Sequence, residues 1–115
     1  MNGWLRNIQV KKSRIDVENA VFNLENQKKQ IRKEIEEAIL HLEALNLEYK
    51  NATDNLAFAE KSFETYREKY QLGLINTTDF MSAQTQLSQA KSFLLLARYS
   101  WIVQVKTVGF YMGTQ

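Results

Sequence analysis

The 115-residue chain carries 15 Lys+Arg against 13 Asp+Glu, a net charge of +2, with no Cys, no Pro, four Gly and one His, His41. Without Cys there is no disulfide scaffold, thiolate zinc site, iron–sulfur cluster or thiol nucleophile, and a lone His offers no His-based metal cluster and a poor start for a serine-type triad. The small net charge and mixed runs such as Lys28-Lys29-Gln30-Ile31-Arg32-Lys33-Glu34-Ile35-Glu36-Glu37 leave no one-signed stripe for nucleic acid.

The glycines are Gly3, Gly73, Gly109 and Gly113, so residues 4–72 and 74–108 run without Gly or Pro. An α/β or all-β domain of this size cannot dispense with turn residues over such lengths. The expected fold is all-α, a long antiparallel helical hairpin or coiled coil: a helix over about 4–71, a turn over about 72–76 and a helix over about 77–111. No signal peptide is visible. The longest nearly uncharged stretch, Ser92 to Ala97, ends at Arg98, far short of the ~20 apolar residues of a membrane-spanning helix.

In the first helix, Ile31, Ile35, Ala38, Leu42, Leu45, Tyr49, Ala52, Leu56, Ala59, Phe63, Tyr66 and Tyr70 recur at alternating intervals of four and three. That is the seam of a coiled coil. The same frame extends back through Leu24, Val21, Val17 and Val10, interrupted by Lys28 and Arg14. Asn51-Ala52-Thr53-Asp54-Asn55 is poor in helix propensity, but the frame passes through it, so the helix is expected to continue. The alternative is a bend there that folds the first part back into a three-helix bundle.

The turn follows. Gly73 suits the left-handed position that ends a helix, Asn76 or Thr77 can cap the next one, and Asp79 lies in its first turn, where a negative charge favours the helix dipole. Leu72, Leu74 and Ile75 are apolar residues at a tip where local structure does not require them. They either hold the two helix ends together or form a docking site.

In the second helix, Phe80, Ala83, Leu87, Ala90, Leu94, Ala97 and Trp101 repeat the pattern, followed by Val105 and Val108. This helix holds only Asp79, Lys91, Arg98 and Lys106 as charges, which argues for cover on more than one side. Reversal at the turn sets Tyr70 by Phe80, Phe63 by Leu87, Ala59 by Ala90, Leu56 by Leu94, Ala52 by Ala97, Tyr49 by Trp101 and Leu45 by Val105. Small residues meet small ones and large meet large. The second helix then runs out opposite Ala38, and the earlier part of the first lacks an intrachain partner although it is apolar along one side. Ile8, Val17, Val21, Leu24 and Ile31 are therefore expected to form a self- or partner-association face.

The stretch Ala59 to Gly113 resembles the last helical hairpin of the TolC family of outer-membrane efflux proteins, through Tyr70, Leu72-Gly73-Leu74, Asp79-Phe80, Ala83-Gln84, Leu87, Ala90, Ala97-Arg98-Tyr99 and Gly113. Asn2-Gly3-Trp4 looks like the family's junction between its final β-strand and the long helix that follows. The resemblance implies that residues 1–115 are one helical-hairpin segment of a periplasmic tunnel domain, a fragment lacking the β-strands and the first repeat. It implies a trimeric channel of the Gram-negative outer membrane, serving efflux or type I secretion, with this segment in the periplasm and not itself spanning the membrane. Its implied partners are a periplasmic adaptor, or membrane fusion protein, and an inner-membrane pump. By the same resemblance Leu72, Gly73 and Leu74 match the tip that docks the adaptor, while Tyr70 and Asp79 fall on pore-constriction or gating positions. A second family aspartate is replaced by Ser82 and a family arginine by Ile75, so a double-aspartate ring and that charged latch are not carried over.

No cofactor or metal is called for: Glu36-Glu37 and Asp54 have no second cluster at ligand spacing, His41 reads as a surface side chain and Trp101 as a core layer. Nothing in the sequence supports catalysis. Two other readings stand beside the channel segment: a free-standing oligomeric coiled coil, and an adaptor-type α-hairpin, the partner's side of a similar junction.

Overall fold

A computed structural model of the protein describes residues 2–113. Its two helices are α1 (Asn2–Gln71) and α2 (Thr77–Tyr111), joined by a five-residue turn, with no strand among the described residues. The all-α hairpin expected from the seam spacing is the fold observed, and its boundaries lie within two residues of expectation. By its internal packing the chain divides into two units, Met1–Glu37 and Ala38–Gln115.

The second unit contains the hairpin. Buried or half-buried positions on α1 are Ala38, Leu42, Leu45, Tyr49, Ala52, Leu56, Ala59 and Phe63, with little else. On α2 they begin Phe80, Ala83, Leu87, Ala90, Leu94, Ala97 and Trp101. The predicted register is visible in its rings: Tyr70 stacks on Phe80 with centroids 4.5 Å apart, and Tyr49 meets Trp101 edge-on at 5.6 Å. The most deeply covered residues are small. Ala90 is 3% exposed and Ala83 7%. Between two helices only a side chain this short is almost fully enclosed; larger seam residues reach past the contact and keep an edge in water.

Asn51–Asn55 remains helical, without the bend. Thr53 turns its hydroxyl back onto the Tyr49 carbonyl at 2.9 Å, a local bond compatible with helical backbone. The seam departs from expectation near the end of α2. Val105 is exposed, and Gln104 takes the inward position, donating from Nε2 to the Ala38 carbonyl at 3.0 Å. Strict alternation from Trp101 advances three residues to Gln104 and four more to Val108, which is half-buried. Apolarity favours Val105, but helical geometry favours Gln104, and geometry prevails because the amide finds a backbone acceptor.

The first unit is a single length of α1. Residues 2–33 are exposed throughout, including Ile8, Val10, Val17, Val21, Leu24 and Ile31. A Gln30–Glu34 side-chain hydrogen bond of 3.4 Å is an example of its one-turn contacts.

Candidate functional site at the hairpin tip

The turn is built mainly by backbone. At the end of α1, the Leu74 amide donates to the Lys69 carbonyl at 2.8 Å and the Gly73 amide to the Tyr70 carbonyl at 3.1 Å, the two bonds of a Schellman motif. Gly73 sits at φ +72°, the left-handed conformation that motif requires. Lys69 places a positive charge in the last turn of α1. Asn76 is the cap of α2: its Oδ1 accepts from the Asp79 amide at 2.8 Å, and its own carbonyl accepts from Phe80 at 3.2 Å. Thr77, the other candidate cap, is the first helical residue instead.

These bonds decide how the tip side chains point. Leu72 is 74% exposed and Leu74 68%, while Ile75 alone among the tip's aliphatic residues is half-buried. The turn is therefore closed by hydrogen bonds rather than by the two leucines, which project on either side of Gly73. Of the two readings open at the sequence level, the one in which all three aliphatic residues clamp the helix ends holds only for Ile75.

Tyr70 and Asp79 differ in their surroundings. The Tyr70 ring stacks on Phe80, and its hydroxyl shares a hydrogen bond of 3.3 Å with Thr77 Oγ1. Phe63 adds a third ring, 5.7 Å from Phe80. Tyr70 thus ties α1 to the first turn of α2. Asp79 stands in that same first turn and forms no ion pair among the described residues, where the single pair is Arg67–Glu64 at 2.9 Å. Thr77 and Phe80, as the partners that fix Tyr70, were missed as site residues. Their signal was present in the stacking register, which already set Tyr70 beside Phe80.

The structure brings Tyr70, Leu72, Gly73, Leu74 and Asp79 together around one turn. Ile8, Val17, Val21, Leu24 and Ile31 belong to the first unit and are exposed there. Farther along the hairpin, Arg98 donates from Nε to the Tyr49 hydroxyl at 3.0 Å and lies 5.7 Å from that ring's centre, so this cation is committed to the Tyr49–Trp101 layer. No group of three His, Cys, Asp or Glu side chains is arranged to hold a metal ion among the described residues. None of their helices is long and apolar enough to cross a membrane.

Compared with known proteins, the chain matches the family model described as outer membrane efflux protein over residues 3–114. No curated protein and no solved structure matches it.

Proposed function

The chain belongs to the outer membrane efflux protein family, a family of channel components, and from that premise we propose that it forms the periplasmic helical wall of a trimeric outer-membrane conduit. In this reading residues 1–115 are one hairpin segment of a TolC-like tunnel domain. Its tip, Leu72-Gly73-Leu74, docks a periplasmic adaptor that connects the conduit to an inner-membrane pump. The observation that carries the reading is the pair of exposed leucines on a turn whose backbone bonds are already made. Full burial of a leucine side chain contributes about 1.5–3 kcal/mol, and a turn closed before docking loses little conformational freedom on binding.

Tyr70 and Asp79 line the tip end of the conduit in this proposal. Tyr70 is held by Phe80 and Thr77 and keeps the two helix ends together, and Asp79 supplies one negative charge per hairpin to narrow and polarise the closed pore.

Efflux by cells carrying the full-length protein tests the reading. Leu74→Asp puts a charge where docking needs an apolar surface, and its side chain is already solvated in the free hairpin. Efflux is expected to fall to the level of a deletion while the trimer still assembles in the outer membrane. Normal efflux by that variant sinks the docking site. In planar-bilayer recordings of the same protein, Asp79→Asn is expected to lower cation selectivity, and unchanged selectivity removes Asp79 from the constriction.

A further inference from the structure

The first unit carries an unpartnered seam with two cations in it. The alternating spacing that α2 covers between Ala38 and Phe63 continues in sequence through Ile31, Lys28, Leu24, Val21, Val17, Arg14 and Val10. In the second unit the same frame is occupied by a helix. In the first it is exposed at every position from Val10 to Ile31. Arg14 and Lys28 take seam positions, fourteen residues apart, which is about 21 Å along a helix. Neither makes an ion pair among the described residues.

A second copy is a poor occupant. Aligned antiparallel about Val21, two copies put Val17 by Leu24 and Val10 by Ile31, but Lys28 then faces Arg14 of the other copy. Aligned in parallel, each cation faces its own equivalent. The seam from Val10 to Ile35 contains no carboxylate at all, so no seam-to-seam register of two copies neutralises either charge. Like charges opposed at an interface repel and act as a device against wrong partners.

We infer that residues 8–35 receive a partner helix of different sequence, apolar along its seam except for two carboxylates two heptads apart that meet Arg14 and Lys28. The valines, Leu24 and Ile31 supply the buried area, and the cations select partner and register, as single polar seam residues do in coiled coils. This surface lies on a different unit from the tip, so the inference survives or fails independently of adaptor docking.

The test uses the whole 115-residue chain and synthetic helical peptides of four heptads. One peptide has an aliphatic seam with Glu at two seam positions fourteen residues apart, and another has Lys at those positions. The Glu peptide is expected to bind at least tenfold more tightly than the Lys peptide and to slow amide exchange in residues 8–35. In the Arg14→Glu/Lys28→Glu chain the preference is expected to reverse. Both substituted positions are exposed, and circular dichroism of the peptide-bound chains checks that the helix forms equally in both. Equal affinity for both peptides, or binding to neither, overturns the inference. So does sedimentation showing that the chain alone dimerises through this face with an affinity the double variant leaves unchanged.

Discussion

Gly73 adopts φ +72°, and a Cβ built there meets nothing within 4 Å. The requirement for glycine is therefore one of backbone conformation and not of space. Gly73→Ala is expected to lower the stability of the isolated chain by about 1 kcal/mol, the penalty of the left-handed region for a side chain with a Cβ. Gly73→Asn is expected to lose less, because asparagine visits that region more readily. Thermal unfolding followed by circular dichroism measures both. Equal stability of wild type and alanine variant contradicts the Schellman description of the turn. The glycine was legible in the sequence because it is the single breaker between two long helical runs. The cap was less so: Asn76 and Thr77 both have a side-chain oxygen, and only the extended backbone at Asn76 (φ −87°, ψ 170°) assigns the role.

At the scale of the helices, the seam was readable over most of its length, although Tyr66 and Tyr70, on the same frame, are exposed near the tip. From Leu42 to Phe63 and from Phe80 to Trp101 every predicted layer is half-buried or buried. Spacing alone also fixed the register, since alanines must face alanines if two axes are to approach closely while aromatic layers on either side still fit. The reading also failed where apolarity and spacing parted. Gln104 occupies the seam because three residues beyond Trp101 is the inward direction, whatever the side chain, and the carbonyl of Ala38 satisfies its amide. Gln104→Ala is expected to destabilise the hairpin by about 1 kcal/mol through the lost hydrogen bond and packing. Val105→Ala is expected to change stability by less than about 0.5 kcal/mol, as for an exposed residue away from special contacts. Urea denaturation of the two variants gives the comparison, and the reverse ranking would return Val105 to the seam. The direction of the tip side chains was the least legible part. Leu72, Leu74 and Ile75 are similar in sequence, and only the hydrogen-bonded path of the turn separates the two that project from the one that turns in.

For the molecule as a whole, the apolar side chains outnumber the places the chain provides to bury them. The buried ones are Ala38, Ala83 and Ala90, whereas Leu95, Leu96, Tyr99 and Phe110 of α2 are exposed, and so, within the first unit, are Val17, Val21, Leu24 and Ile31. The cover on more than one side expected from the scarcity of charge in α2 is not supplied among the described residues, where these positions are exposed. The two units should accordingly differ in stability. An isolated helical length without tertiary packing is marginal in water, while the hairpin packs along its seam. Hydrogen exchange on the chain by itself is expected to find amides of residues 2–33 exchanging close to the rate of an unstructured peptide, with protection concentrated between Ala38 and Val108. Uniform protection across both units would show that residues 2–33 are already partnered in solution.

The backbone closure of the tip has one more implication. Because Leu72 and Leu74 are exposed on a turn closed by backbone bonds, the docking surface proposed for them could change without changing whether the chain folds. Under that proposal, substitutions at two codons would redirect the hairpin to a different partner while Gly73 and the Asn76 cap keep the turn. Specificity in such a design evolves cheaply, like the teeth of a key cut on an unchanged shank.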